Sequence, residues 1–351
     1  MKVVKAGYKE IMEKDVSKKI EQIARVCYKS EDKIGPGTDM AMIKKLVARK
    51  HYAMLEHASL VYRVSKDIYN FIKDVISERM HDITWFTTSE VPNTSRIKFT
   101  KFCHREPRNN SYVISGNIRA WIEFLEFIHK NKNSGDLYDG SLCHVIMQLY
   151  VDSKHIVDFM NDLIPGQKPT GKMQLVTDFT ELYPAERMVH ETFSVLFTCD
   201  RGVTHEFVRM RDDCSFAQES TRYCNYSNGK FGNEIAVIDP VFWSPANENR
   251  ENFSEEAYEK WEEICGDIEI AYNKLTGIGA PAQQARSVLP TSTKADIVIT
   301  TTLMEWRHIF ALRACDMTGP AHPQMKEIMV PLFLKKKEDY PFAFGDLEAV
   351  V

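Results

Sequence analysis

Apolar residues recur at helical and then at strand spacing in the first part of the chain. Val16, Ile20 and Ile23 lie three to four residues apart, which predicts an amphipathic helix over residues 15–28. A second helix is predicted after Asp39, whose carboxylate is a suitable N-cap. Residues 60–64 then alternate as a strand does, and this strand follows a turn near His57.

The pattern between residues 67 and 190 is less regular. Ile68, Phe71, Ile72 and Val75 indicate a helix, and SEVPNTSR is typical of a loop. Strands are predicted next, followed by a helix from about Asn117. Two further helices are predicted around residues 145–150 and 156–163, and LIPGQKPTGK follows as a loop.

Strong periodicity returns in the second half of the chain. Phe193, Val195 and Phe197 alternate with polar residues, which predicts a strand that leads to Asp200 as a helix N-cap. A helix over 202–211 is predicted next, followed by an apolar strand that begins at 235 and ends at Pro240. A helix over 254–275 is opened by an N-terminal serine, Ser254, followed by acidic residues. The remaining predicted elements are a short helix around Arg286, a long helix over 294–314 and a final helix after His322.

This order of elements predicts an α/β (α+β) fold in which a sheet is flanked by helices. The chain has 351 residues, of which 44% are hydrophobic, so it is long enough for one large domain or two.

Charge and cysteine usage limit the function classes. The net charge of −4 gives no support to general nucleic-acid binding. The eight cysteines form no CxxC pair, which fits reduced thiols in a cytoplasm. The chain has no apolar stretch of membrane-spanning length and no signal-peptide pattern at its first residues, so a soluble, cytoplasmic protein is expected.

The most informative stretch is CDRGVTHEFVRMRDDCSFAQESTRYCNYS, residues 199–227. It brings Arg201, Arg209, Arg211 and Arg222 close to Gln218 and Ser220. Guanidinium groups beside hydroxyls and an amide suit the recognition of phosphate and of the edge of a base. The alternative interpretation is a basic surface helix and loop.

Four other segments contain candidate site residues. They are AMLEHAS with His57, ARSVLP with Arg286, EWRHIFALR with His308 and Arg313, and AHPQ with His322. Taken singly, each segment is weak evidence for a functional site. A lone histidine before a strand is more often structural, and His308 and Arg313 do not share a helix face. The sequence contains no HExxH, Walker or GxGxxG motif, so no metal site is predicted.

In chain order, these five segments resemble the flavin-dependent thymidylate synthases. The signature of that family is Arg-His-Arg, then seven or eight residues, then Ser within Ser-x-Arg-Tyr. Here it reads Arg209-Met210-Arg211, DDCSFAQE and Ser220-Thr221-Arg222-Tyr223. The resemblance covers residues 15–65 and 190–335, and ISGNIRAW at 114–121 also looks like a family segment. It implies a single catalytic domain over 1–351, with 66–190 as an insertion. For the role of this insertion, a cover for an oligomer edge, a lid and a partner surface stay open.

The resemblance implies a reaction and its cofactors. dUMP would be methylated to dTMP, with methylenetetrahydrofolate as the one-carbon donor and with FAD reduced by NADPH. Family members are homotetramers whose sites are shared between subunits, so dUMP, folate and further copies of the chain are the expected partners. No membrane or nucleic-acid partner is expected.

The resemblance also implies site residues, position by position. Gln218, Glu219, Ser220, Arg222 and Arg286 would bind the nucleotide. Arg313 would lie at the uracil edge, and Arg313 and Ser220 are the catalytic candidates. The residues expected on the flavin and folate side are His57, Arg209, Met210, Arg211, His308 and His322.

Met210 departs from the family signature, which has His at this position. A thioether cannot donate the hydrogen bond of an imidazole. Three interpretations follow: FAD binds in a modified pocket, the activity is weak, or the product is another C5-substituted pyrimidine nucleotide. A non-catalytic nucleotide- or nucleic-acid-binding module on the same scaffold is the alternative of a different class.

Overall fold

The structure is a computed structural model that describes residues 1–74, 86–87, 96–97, 102–104, 112–130, 172–210, 213–229, 232–247 and 253–350. The chain divides into two compact units. The first unit comprises Met1–Met12, Gln22–Ile34 and Phe193–Val351, and the second comprises Glu13–Glu21 and Gly35–Thr192. Both sheets and helices are present in each unit, which confirms the mixed α/β class.

A four-stranded sheet is the centre of the first unit. Its order is β10 (Ser215–Gln218), β12 (Lys294–Thr302), β9 (Thr192–Asp200) and β2 (Gly7–Ile11). β2 is antiparallel to β9, and β10 is antiparallel to β12. β1 (Lys2–Val4) and β11 (Ala236–Ile238) form a separate parallel pair.

The prediction of one long helix over 294–314 is wrong. Residues 294–302 form strand β12, and the helix begins only at Leu303. The run IVITTT is β-branched and buried almost throughout, because β12 lies between two other strands. A strand that is buried on both faces does not alternate apolar and polar residues. Its sequence therefore cannot be told from that of a buried helix by periodicity.

Two further boundaries near Arg209 also differ from prediction. The helix after Asp200 spans only Arg201–Phe207, because the next two amide groups, of Arg209 and Met210, donate to carbonyls three residues back. No strand was predicted for the segment with Gln218. It instead forms β10, because the edge of β12 offers it backbone hydrogen-bonding partners.

Helices cover the sheet of the first unit. They are the end of α1 (Val16–Tyr28), then α6 (Arg201–Phe207), α7 (Glu255–Gly277), α8 (Ala282–Ala285), α9 (Leu303–Arg313), α10 (Pro323–Asp339) and α11 (Pro341–Phe344). Aromatic rings form much of the core. The rings of Trp306 and Phe193 are stacked with centroids 4.6 Å apart, and those of Phe310 and Phe333 are tilted with centroids 5.3 Å apart. The predicted caps Asp200 and Ser254 are both confirmed, since each side chain accepts an amide hydrogen bond.

The second unit has its own antiparallel sheet, ordered β6 (Phe102–His104), β7 (Val113–Asn117), β3 (Ser59–Val64) and β8 (Met173–Leu175). β4 (Phe86–Thr87) pairs with β5 (Arg96–Ile97). Its helices are the start of α1, then α2 (Thr38–Ala48), α3 (Lys66–Asp74), α4 (Ile118–Lys130) and α5 (Pro184–His190). Trp121 packs edge-on against Tyr62 at 5.6 Å in the core of this unit.

Asp39 does not cap α2 as predicted. The helix begins at Thr38 after Gly37, which has a left-handed backbone conformation with φ of 74°. Asp39 lies inside the first turn and accepts a hydrogen bond of 2.5 Å from the hydroxyl of Ser17. The predicted helices around 145–150 and 156–163 and the loop at 163–172 lie almost wholly outside the described residues.

Within the described ranges, no helix combines the length and the apolar character needed to cross a membrane. The expectation of one catalytic domain with an insertion over 66–190 stays a prediction.

Candidate functional site

The signature segment is fixed by backbone hydrogen bonds in the first unit. Strand β10 pairs with β12 so that Gln218 lies opposite Ile297. The Glu219 N–H then donates to the Asp296 carbonyl at 2.8 Å, and the Ser220 N–H donates to the Cys27 carbonyl at 3.1 Å. Strand β10 ends at Gln218, and the chain turns at Ser220 toward Arg222.

Glu219 is buried in a network of charges instead of facing open space. It is 3% exposed, and its Oε2 lies 2.9 Å from Lys294 Nζ and 3.3 Å from Lys29 Nζ. The Tyr226 hydroxyl donates to Oε1 at 3.2 Å. Asp296 lies between the same two ammonium groups, which balance the two carboxylates.

Three groups of this network, Asp296, Lys29 and Tyr226, have shifted pKa values. Burial alone would raise the pKa of Asp296, but Lys294 and Lys29 overcome it and hold the pKa below its usual value. Burial would likewise lower the pKa of Lys29, but Glu219 and Asp296 raise it. Burial, reinforced by Glu219, raises the pKa of Tyr226, so this phenol stays protonated and donates its hydrogen bond. Asp296 and Lys29 therefore stay charged at neutral pH.

Gln218 and Ser220 lie on either side of Glu219. The Gln218 side-chain amide donates to the Thr204 hydroxyl at 3.0 Å, which links β10 to helix α6. The contacts described for Ser220 are made by its backbone, which also accepts hydrogen bonds from the Tyr223 and Cys224 N–H groups. The turn that carries Thr221 and Arg222 is closed by these two hydrogen bonds.

Arg286 lies beside this turn. Its Nη1 donates to the Thr221 hydroxyl at 3.4 Å, and the two residues line an open cavity of about 460 Å³. Arg222 lies over the ring of Tyr223, with its guanidinium carbon 5.8 Å from the ring centroid. Tyr223 is 64% exposed, and its ring also packs edge-on against Tyr28, with the ring centroids 5.6 Å apart.

Arg313 ends helix α9 and pairs with Glu206 of α6 at 2.9 Å. Its Nε atom is buried, and no described residue accepts a hydrogen bond from it. Arg313 therefore connects to the same helix that contacts Gln218 through Thr204. The structure thus links Gln218 and Arg313 to α6, and Arg286 to the turn after β10.

The residues predicted on the flavin side have differing surroundings. Arg209 and His308 are exposed, whereas Met210 is only 4% exposed. His322 is exposed and caps α10: its Nδ1 accepts the Gln324 N–H at 3.3 Å, and its ring packs edge-on against Phe242. His57 lies in the second unit, buried at the end of the turn Tyr52–His57. Arg211 lies outside the described residues.

Sequence reasoning missed the residues that support this site from other elements. Lys29, Lys294, Asp296, Thr204 and Glu206 were not singled out. Lys294 and Asp296 were assigned to a helix, where they would not point the same way. The β-branched run after Asp296 was the signal that could have placed both on one face of a strand.

Comparisons with known proteins point to one family. The sequence model of the thymidylate synthase complementing proteins matches residues 143–341. The flavin-dependent thymidylate synthase of Pyrococcus furiosus is 30% identical over 128 residues, which are 36% of this chain and 48% of that protein. The one from Corynebacterium diphtheriae is 29% identical over 218 residues, or 57% of this chain and 81% of that protein.

The match to the Pyrococcus relative thus spans about half of that protein's length. A solved structure of the UMP/dUMP methylase PolB from Streptomyces cacaoi, bound with 5-Br dUMP, is 18% identical. It covers 44% of this chain and 69% of its own, with a TM-score of 0.36. Because the family match spans more than half of the chain, including Arg209–Tyr223, Arg286 and Arg313, the chain belongs to the thymidylate synthase complementing protein family.

Proposed function

We propose that this protein is a methyltransferase that converts dUMP to dTMP, with methylenetetrahydrofolate as the one-carbon donor and FAD reduced by NADPH. The observation that carries the proposal is the family match, which contains the whole signature segment together with Arg286, Arg313 and His322. The similarity to proteins named flavin-dependent thymidylate synthase supports the same reaction.

The nucleotide would lie along the turn after β10. Arg286 and Arg222 supply guanidinium groups for its phosphate, and a base can stack against an exposed ring such as Tyr223. Arg313 would lie at the uracil edge, where a fixed cation stabilises the negative charge that builds on the ring as C5 becomes nucleophilic. Glu206 holds the Arg313 guanidinium in place before the substrate arrives.

Glu219 has a different role in this proposal from the one that the resemblance implies. Both of its carboxylate oxygens already accept hydrogen bonds or ion pairs from Lys294, Lys29 and Tyr226. A carboxylate so engaged is suited to holding the Gln218–Ser220 backbone in position. We therefore propose that Glu219 positions the nucleotide-binding segment.

The residues on the flavin side fit an anionic, aromatic cofactor. Arg209, His308 and His322 are exposed and can donate hydrogen bonds to the diphosphate or to the ring of FAD. When bound, FAD supplies the redox chemistry and takes its reducing equivalents from NADPH. The protein's own residues bind and orient the reactants.

The test is turnover by the full-length protein. Purified protein incubated with FAD, dUMP, methylenetetrahydrofolate and NADPH is expected to form dTMP, identified by mass, and to lose activity when any one component is omitted. A C5-substituted product of different mass would support the alternative function, in which the enzyme makes another C5-substituted pyrimidine nucleotide. A protein that takes up no FAD and binds no dUMP would contradict the proposal.

A further inference from the structure

The cavity beside Thr221 contains more cationic side chains than the family resemblance assigned to the site. Besides Arg286, it is lined by Arg201 and His205, which lie four residues apart on helix α6 and so share one face. Neither was among the predicted site residues. Hydroxyl and amide groups of Thr221, Ser287 and Gln283 complete the polar lining.

Arg201 is the strongest indication that this cavity binds an anion. Its Nη1 is buried, and no described residue accepts a hydrogen bond from it. A buried guanidinium N–H without an acceptor costs free energy unless a ligand satisfies it. The backbone of Arg201 is held in place, since its N–H donates to the Thr291 carbonyl at 2.9 Å.

The charge of the cavity is one-sided. The described residues that line it include two arginines and a histidine but no carboxylate. The carboxylates of Glu219 and Asp296 are engaged by Lys29 and Lys294, so they do not neutralise this lining. Two guanidinium groups with neighbouring hydroxyl donors are the recognition chemistry of a phosphate monoester.

The position of the cavity favours one source for that phosphate. Thr221 belongs to the turn that the proposed function assigns to the nucleotide, and Arg286 donates to its hydroxyl at 3.4 Å. A phosphate held between Arg201 and Arg286 would therefore belong to a nucleotide that lies along the Ser220–Arg222 turn.

We infer that Arg201 and His205 bind the 5′-phosphate of the pyrimidine nucleotide together with Arg286, and that Arg201 sets the preference for nucleotide over nucleoside. This inference rests on the proposed function. It adds two residues and a source of specificity that the signature motif does not contain.

The experiment compares the binding of dUMP and deoxyuridine by calorimetry. In Arg201→Gln, dUMP is expected to bind about 10- to 100-fold more weakly, since a hydrogen-bonded charge pair is lost, whereas deoxyuridine affinity stays unchanged. Arg201→Lys should recover part of the loss. The matched control is Arg307→Gln, which removes the same charge from a guanidinium paired with Asp346 and should leave both affinities unchanged.

Equal weakening of dUMP and deoxyuridine would indicate a structural role and overturn the inference, as would an unchanged dUMP affinity. A rise in KM for NADPH alone would assign the cavity to the phosphate of that reductant instead. If Arg201→Gln does not fold, His205→Gln replaces an exposed side chain and should give a smaller loss that is again confined to dUMP.

Failure of the proposed function gives a separate result. If the wild-type protein binds neither dUMP nor deoxyuridine, the nucleotide assignment fails as a whole. The binding of inorganic phosphate then tests the cavity by itself. If phosphate binds to the wild type but not to Arg201→Gln, the cavity is an anion site for a ligand other than the nucleotide. If phosphate does not bind, the cavity is not an anion site.

Discussion

Met210 shows how burial changes the interpretation of a single residue. The family signature has His at this position, which suggests that a flavin contact has been lost. In the structure Met210 is 4% exposed and follows Phe207, which is fully buried, so its thioether contributes to the core of the first unit. A flexible apolar side chain suits such a position better than an imidazole does.

Met210→His is therefore expected to lower the free energy of unfolding by about 1–3 kcal/mol, because it buries a polar ring without an assured partner. Urea unfolding measures the change. Met210→Leu, which conserves volume, is the control and should cost less than about 1.5 kcal/mol. An unchanged stability combined with tighter FAD binding would instead place residue 210 in a flavin pocket.

Arg313→Gln is expected to lower kcat by about 10²- to 10³-fold, since a fixed cation at the uracil edge is lost in the transition state. Arg313→Lys should retain part of the activity but lose the planar geometry of the guanidinium. Steady-state kinetics with dUMP checks both variants. Equal kcat in wild type and Arg313→Gln would remove Arg313 from the catalytic candidates.

At the scale of elements, strands β10 and β12 organise the candidate site. Their pairing brings Glu219 to Lys294 and Asp296, and the end of α1 brings Lys29, whose backbone is left-handed with φ of 47°. The network therefore joins three segments that are distant in sequence. Its ion pairs are buried, so removing one partner leaves an uncompensated charge.

Lys294→Met is expected to destabilise the protein by about 3 kcal/mol, because Glu219 and Asp296 would then share only Lys29. Chemical denaturation measures the free energy, and the dUMP affinity should fall as the β10 turn loosens. Lys260→Met is the control, since Lys260 pairs with Glu263 in an exposed position and should change stability little. A stability loss equal to that of the control would contradict a structural role for the network.

The network also predicts a pH dependence of stability. The pKa of Asp296 is lowered on folding, so its contribution is present above the unfolded pKa of about 3.9 and is lost as pH falls through the folded value. The pKa of Lys29 is raised, so its contribution is present below the unfolded pKa of about 10.4 and is lost as pH rises through the folded value.

Unfolding free energies measured across pH should therefore be highest between these limits. In Lys294→Met, the loss of stability at acid pH should begin at a higher pH than in the wild type, since one of the two cations that lower the pKa of Asp296 is gone. If the wild type and the variant lose stability over the same acid pH range, Lys294 does not lower the pKa of Asp296.

At the scale of the whole molecule, the prediction of a homotetramer with shared sites is open to a direct test. Light scattering during gel filtration should give four times the mass of the chain. His57→Ala and Arg313→Gln are each expected to have low activity alone. When the two variants are mixed and exchange subunits, part of the activity should return, because some shared sites would then contain both His57 and Arg313. A monomer, or mixtures that remain inactive, would indicate sites built within one chain.

Much of the architecture followed from local pattern alone. Amphipathic spacing located α1 and α7, and the cap residues Asp200 and Ser254 were correct because capping depends on neighbours only a few residues away. The signature residues from Arg209 to Tyr223, with Arg286 and Arg313, were likewise identified from the sequence, since their types and order define a family pattern.

The tertiary structure decided the features that depend on residues distant in the chain. The sequence could not distinguish a doubly buried strand from a helix over 294–302, because only the neighbouring strands impose that burial. The pairing of Lys29 with Glu219, and the cavity shared by Arg201 and Arg286, exist only once the sheet and α6 bring these residues together. Composition and spacing determine which charges the chain contains, but the path of the backbone determines which of them meet.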